Sequence, residues 1–325
     1  DKFRDCTFKS EVIPVSEDFV RYLLVDGIEL PVSCGKSPQP GEDAASDGSW
    51  GSGGGDSSDD EGLPAAEKFC FEELEGQIRS AIVRLNGAVL PKLNWSAPKD
   101  ATWVHGFVHG SLKCDSPAEV FTLLKASDFV THDLCHSFDH CGGSARKRPE
   151  QFTLVLRRWH SLNESNEFRV FVRDSQLIAV SQRHTSFFFE HLQDEKEVED
   201  IHRAIAVFFQ EQVLGRFAPS RFAFDVYVDI APRRRVWLVD FSPWGPTTDA
   251  CLFDWDELAE LEAPASPELA SFQTVRNEAD CRGKVESYHR VPLELAQLNS
   301  GEGLNELLAN ADRVLKQKEQ EGSKS

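Results

Sequence analysis

The sequence predicts an α+β fold, and three observations carry that prediction. Two pairs of short β-type runs flank turn dipeptides, one at Asp174-Ser175 and one at Pro232-Arg233. Amphipathic stretches with apolar residues three and four apart lie between and around them. The chain has 325 residues, 40% of them hydrophobic, which is long enough for two lobes, each with its own core.

Taken in order, Phe71, Leu74, Ile78, Ile82 and Leu85 mark one face of a helix that Asn86-Gly87 stops. Val89-Leu90-Pro91-Lys92-Leu93 reads as a short strand. Ser116-Pro117-Ala118-Glu119 is a capping box with Pro at the first helical position, opening a helix to about Ala126. The stretch Phe152 to Trp159 reads as a buried strand. Phe168 to Val172 and Leu177 to Val180 form the first hairpin. Val198, Ile201, Ile205, Phe208 and Val213 mark a long helix ended by Gly215. Phe222 to Ile230 and Arg235 to Phe241 form the second hairpin. Asp254-Trp255-Asp256-Glu257 opens a further helix, and Leu304, Leu307, Leu308, Ala311, Val314 and Leu315 make a last one before a polar tail from Lys316.

Lys36 to Gly62 stands apart. It holds seven glycines, six serines, seven acids and one base, so it has almost nothing to bury and is expected to be a disordered acidic loop. Its Gly51–Asp56 run has no preceding strand and no following Gly-Lys-Ser/Thr, so it is not a phosphate loop. Ser57-Ser58-Asp59-Asp60-Glu61 has the form of an acid-directed phosphorylation site, or of a plain solvated acidic loop. Net charge is −19, which disfavours nonspecific nucleic-acid binding. No run reaches the ~18 apolar residues of a membrane span. Residues 1–5 carry no apolar leader, and the absence of methionine implies a sequence that starts inside its encoded chain. The eight cysteines form no Cys-x-x-Cys and are expected to be reduced thiols of a cytoplasmic protein.

The second hairpin carries the most chemistry. Phe222, Phe224, Val226, Val228 and Ile230 alternate onto one face, leaving Asp225, Tyr227 and Asp229 on the other. On the return strand, strict alternation groups Val236, Leu238, Asp240 and Ser242. With the turn centred on Pro232-Arg233, paired positions sum to 465, which sets Asp225 opposite Asp240. Facing carboxylates repel. A divalent cation with hard oxygen ligands, such as Mg²⁺, would reconcile them; so would one protonated acid, or a register one residue off. Lys92, Arg157, Arg158 and Arg169 sit inside apolar runs and need anions, which either a Mg²⁺-polyphosphate ligand or separate local ion pairs would supply. His132-Asp133-Leu134-Cys135-His136 through His140-Cys141 concentrates metal-ligand types without finger spacing, and reads as a polar loop between strands with structural zinc as the minor alternative. Gly106 and Gly110 argue against a helical pairing of His105 with His109.

Six ordered blocks then resemble one family. They are Pro91-Lys92-Leu93-Asn94-Trp95-Ser96-Ala97-Pro98-Lys99-Asp100; Ser111-Leu112-Lys113-Cys114; Ser127-Asp128-Phe129-Val130; Glu167 to Val172 with Ser181-Gln182-Arg183; Phe224-Asp225-Val226-Tyr227; and Val236 to Gly245. Together they resemble the cell division cycle protein 123 family over about Val12 to Glu257. The resemblance implies an ATP-grasp-like fold of two lobes with the nucleotide held between them. It implies an ATP- and Mg²⁺-binding assembly chaperone, not an enzyme, that binds the gamma subunit of eukaryotic translation initiation factor 2 and promotes its joining with the alpha subunit. Lys92 and Arg157 would hold phosphates; Asn94, Ala97, Lys99, Arg169 and Arg183 would line the nucleotide site, with Trp159-His160 as the adenine hinge. Asp225, Asp240 and Ser242 would hold the metal, Ser242 standing where the family has Asn. The expected layout is residues 1–35 and 67–150 as the first lobe around a loop at 36–66, residues 151–262 as the nucleotide- and metal-binding lobe, and 263–325 as a C-terminal segment. The protein is expected to be a monomer without direct nucleic-acid or membrane contact. The alternative function is an ATP-grasp carboxylate-amine ligase working through an acyl phosphate, which needs acceptor-site bases that no further motif supplies.

Overall fold

The structure is a computed structural model that describes residues 2–27, 29–35, 69–105, 111–139, 141 and 146–282. The acidic loop, its Gly51–Asp56 and Ser57–Glu61 segments, His109, His140, the last helix and the polar tail lie outside the described residues. The chain divides into two compact units. One runs from Ser10 to Trp159; the other joins the residues up to Lys9 with those from His160 onward. The boundary between Trp159 and His160 puts the strand at 153–158, assigned by the sequence to the second lobe, in the first unit.

The unit Ser10–Trp159 is built on β1 (Ser10–Pro14), α1 (Glu17–Leu24), α2 (Glu72–Arg84), β2 (Val89–Leu93), α3 (Pro117–Lys125), α4 (Asp128–His136) and β3 (Thr153–Arg158). β3 lies between β1 and β2 in an antiparallel sheet of order β1-β3-β2. Its apolar alternates Leu154 and Leu156 face one core with Ile13, Val89, Leu93 and the buried residues of the four helices. β1 and α1 carried no strong local signal, being five and eight residues long. α1 starts because the Ser16 side chain accepts a hydrogen bond from the Phe19 amide, and it buries Phe19, Val20, Tyr22 and Leu23. α2 ends as its sequence predicts. Asn86 and Gly87 take φ of 71° and 90°, and the Gly87 amide reaches back to the Ile82 carbonyl at 2.8 Å.

α3 opens on Ser116, whose hydroxyl accepts from the Glu119 amide, while the Glu119 carboxylate accepts from the Asp115 amide at 2.7 Å. The reciprocal half of the box thus goes to the residue before the cap. α4 corrects the loop expected at His132–Cys141, since Asp128–His136 is helical. Its start is held from a distance. The Asp100 carboxylate accepts from the Ser127 hydroxyl at 2.6 Å, the Asp128 amide at 2.7 Å and the Phe129 amide at 3.3 Å. Those amides would otherwise be orphans of the first turn. Val130 and Leu134, four apart, then anchor the helix in the core.

The second unit contains β4 (Glu167–Arg173), β5 (Gln176–Gln182), α5 (Glu195–Phe208), β6 (Phe222–Val228), β7 (Val236–Pro243), α6 (Trp255–Glu260) and β8 (Ser271–Gln273). They form a sheet of order β7-β6-β4-β5-β8, antiparallel except for β8 beside β5. The first hairpin turns on Asp174 and Ser175, both with positive φ, the primed geometry that suits strand twist. α5 continues into a π-helical turn at Phe209–Val213 before Gly215, φ 72°. Helix α5 covers one sheet face through Ile201, Ile205 and Phe208 against Phe168, Val170, Phe224 and Val226. Phe253 and Leu258 cover part of the other, against Phe171 and Ala223. Residues 2–7 line the free edge of β7: the Leu238 amide donates to the Cys6 carbonyl at 2.7 Å, and the Thr7 hydroxyl donates to the Leu238 carbonyl at 2.8 Å. Among the described residues no helix is long and apolar enough to cross a membrane.

Candidate functional site

Asp225 and Asp240 do face each other across β6 and β7. Strict alternation along β7, however, does not hold. Pairs on the Pro243 side of the acids sum to 465, such as Phe224 with Phe241, whereas Val226 pairs with Leu238 and Val228 with Val236. Val239 is the extra residue of a β-bulge. The bulge reverses the faces on one side of it. Val236, Leu238 and Phe241 therefore share the α5 face with Val226, Val228 and Phe224, and Asp240 and Ser242 share the opposite face with Asp225 and Ala223. The apolar set and the acids are thereby separated, which a regular strand could not have done.

The same face supplies a counter-charge. Arg169 of β4 lies directly opposite Asp225 on its other side, and Ser181 of β5 lies opposite Arg169. The Arg169 fork donates from Nε to Asp225 Oδ1 at 2.7 Å and from Nη2 to Oδ2 at 2.8 Å. Its Nη1 donates to the Asp249 carbonyl at 2.8 Å. Arg183 lies 3.7 Å from Asp225 Oδ2 and donates to the Asp249 carboxylate at 3.1 Å. Asp225 and Arg169 are both buried, 6% and 5% exposed. Desolvating two such ions costs several kcal/mol each and is offset only by full, well-aligned hydrogen bonding; the two-bond fork supplies it. Burial works against the Arg169 charge, but the Asp225 carboxylate outweighs it and holds the guanidinium protonated well above its ordinary range.

The turn at Asp249–Leu252 was not flagged by the sequence. Asp249 carries the two arginines and also accepts from the Cys251 amide at 2.9 Å, while the Leu252 amide donates to the Ser181 hydroxyl at 3.2 Å. Cys251 takes φ 59° there. Burial pushes its thiol up to about 11, with Arg183 and Arg169 pulling the other way. Such a thiol stays protonated at neutral pH and is a poor nucleophile.

Asp225, Asp240 and Ser242 form a hard-oxygen set on one sheet face, and that chemistry fits Mg²⁺. Both Asp225 oxygens accept from Arg169 and Oδ2 also lies 3.7 Å from Arg183, while an ionised carboxylate oxygen can accept more than one contact. The His132–Cys141 segment offers less. His136 Nδ1 sits 2.8 Å from Asp139, Cys135 is exposed, and among the described residues no group of three or more His, Cys, Asp or Glu side chains is placed to hold a metal.

The remaining candidates belong to the unit Ser10–Trp159. Lys92 pairs with Val155 and Arg157 with Leu90, so the two bases share one sheet face, opposite Leu154 and Leu156. Lys92 is buried and Arg157 half-buried. Asn94 takes φ 50°, and its Oδ1 accepts from the Thr153 amide at 2.7 Å and hydroxyl at 3.1 Å, so its side chain fastens the turn after β2. The Ala97 carbonyl accepts from the amide of exposed Lys99. The Trp159 amide donates to the Ala88 carbonyl. Asp133, absent from the predicted set, accepts from the Ser96 amide at 3.0 Å, and burial raises its carboxyl above the usual range. In the other unit, exposed His160 packs its ring 5.0 Å from that of Phe8, which stacks on Trp237.

A profile described as D123 matches residues 1–299. The chain belongs to the D123 family. Among D123 relatives, a Xenopus tropicalis protein named Translation initiation factor eIF2 assembly protein is 36% identical over 94% of this chain and 91% of its own length. A Botryotinia fuckeliana protein of the same name is 42% identical over 81% of this chain; the match spans 63% of that relative's length. A Phaeosphaeria nodorum relative, 39% identical over 81% of this chain and 67% of its own, is named Cell division cycle protein 123. The solved structure of Cdc123 from Schizosaccharomyces pombe superposes with a TM-score of 0.63 at 32% identity, over 83% of this chain and 90% of that one. The family resemblance read from the six blocks is borne out, as is the α+β, ATP-grasp-like fold class.

Proposed function

We propose that this D123-family chain is an assembly factor for translation initiation factor eIF2 that works with ATP and Mg²⁺ bound. The observation that carries the reading is the match to the Xenopus tropicalis eIF2 assembly protein, which extends over nearly the full length of both chains. On this reading Asp240 and Ser242, with Asp225, hold the metal, and Lys92 and Arg157 hold phosphate oxygens. Mg²⁺ supplies neutralisation of the polyphosphate charge. ATP acts as a conformational ligand, and the protein partner is the gamma subunit, whose joining with the alpha subunit the chain promotes. It does so as a cytoplasmic monomer.

Calorimetric titration with ATP tests the nucleotide half. Binding that requires Mg²⁺ and is lost in Asp240→Ala supports the site; equal affinity with and without Mg²⁺ overturns it. Pull-down with the isolated gamma subunit tests the partner, and its failure under conditions where ATP binds would remove the assembly role. Asp240 is the better probe than Asp225, because removing the Asp225 carboxylate strands the buried Arg169 guanidinium.

A further inference from the structure

We infer that Arg169 is a positioning residue for the carboxylate pair, supplying a standing positive charge that lets Asp225 and Asp240 face each other before any cation arrives. Arg169 and a divalent cation are then alternative counter-charges to the same two acids. The inference rests on the metal reading above and deepens it.

Three observations support it. Facing carboxylates destabilise a ladder, yet Asp225 and Asp240 are in direct register. The position next to Asp225 on its other side is an arginine in the interior of the central strand, and its fork meets both Asp225 oxygens. The Nε, Nη1 and Nη2 nitrogens of that arginine each have a protein acceptor, the Asp249 carbonyl being that of Nη1, so three of the five guanidinium N–H groups fix the acid and the Asp249 turn. Lysine could not do this: a point charge lacks the planar two-bond match to a carboxylate. The consequence is a metal site whose carboxylate is held in one orientation in advance of the ligand.

The test is thermal unfolding of the full chain, with and without millimolar Mg²⁺, for Arg169→Met, Asp225→Asn and the double variant. Arg169→Met is expected to lower Tm by roughly 6 °C or more without Mg²⁺. Mg²⁺ is expected to restore most of that loss, and by more than it shifts the unsubstituted chain. The double variant is expected to regain stability without metal, since neither charge is then stranded. A deficit in Arg169→Met that Mg²⁺ does not change overturns the inference. If in that case the unsubstituted chain still binds ATP in a Mg²⁺-dependent way, the metal reading survives alone; if it does not, both fall. Should Arg169→Met not fold, Arg169→Lys carries the test, with an expected smaller Tm loss that Mg²⁺ reverses; no reversal overturns the inference.

Discussion

The two sheets treat charge in opposite ways. In the five-stranded sheet a row of polar residues crosses the strands, Asp240, Asp225, Arg169 and Ser181, and the inner pair is tied by two hydrogen bonds while buried. In the three-stranded sheet Lys92 and Arg157 stand two rows apart on one face, Lys92 opposite Val155 and Arg157 between Leu90 and Ser10. The contrast teaches that an ionisable residue in an apolar strand has two different physical meanings. Arg169 completes the sheet it sits in. Lys92 and Arg157 have no acid among their cross-strand partners, and the nearby Asp133 carboxylate that feels the Lys92 charge comes from helix α4 and not from the sheet.

The largest test of this contrast is Arg169→Met. Taking the two-bond fork from buried Asp225, which retains Arg183 at 3.7 Å, should cost up to about 3–5 kcal/mol of unfolding free energy, read by denaturant titration. A loss below about 1 kcal/mol would place the pair among solvent-screened surface bridges and erase the distinction. Next is Asp100→Ala, which removes three acceptor bonds at the start of α4 and should cost about 2 kcal/mol. It sharpens the comparison by showing what a buried carboxylate contributes when all its partners are uncharged. Third, Lys92→Met should leave stability within about 1 kcal/mol of the parent, since a lysine stem is already apolar, while ATP affinity drops at least tenfold by calorimetry. Unchanged affinity would return Lys92 to the class of Arg169.

The smallest expected effect concerns pH. His202 on α5 is buried against Phe272, ring centroids 5.2 Å apart, and burial lowers its pKa below the ordinary value near 6.5. The unfolded chain therefore takes up the proton first. His202 contributes stability above about pH 6.5 that is lost as pH falls toward its folded pKa. His202→Phe should flatten the stability profile between about pH 7 and 5 relative to the parent. An unchanged slope would show that the acid limb comes from carboxylates elsewhere.

What the sequence made legible divides along the range of the interactions. α3 was readable because its cap is local: Ser116, Pro117 and Glu119 lie within one turn. α4, the next helix, also has a local cap, Ser127 accepting from the Val130 amide, but its first turn depends further on Asp100, 27 positions before Ser127, which no local pattern reveals. The facing of Asp225 and Asp240 was legible from turn position and parity, yet the bulge at Val239 was not, because nothing in Trp237-Leu238-Val239 marks an extra residue. The arginine on the other side of Asp225 was seen as a buried base in need of an anion. That the anion was Asp225 depends on β4 lying between β5 and β6, a pairing fixed by topology and not by local pattern. The same is true of Asp249, whose neighbours are 66 and 80 positions away in sequence.

The arrangement of the units has a consequence in time. The segment up to Lys9 belongs with residues made after Trp159, and Thr7 meets Leu238, 231 positions later. At about 5–20 residues per second, a ribosome takes roughly ten to fifty seconds to cover that distance. Ser10–Trp159 is complete and free to fold before this interval ends, while Phe3 and Phe8 wait without Phe217, Phe241 and Trp237. The edge of the strand that carries Asp240 and Ser242 is thus sealed by the earliest of these residues to be made, and it cannot close until well after Ser10–Trp159 has been made.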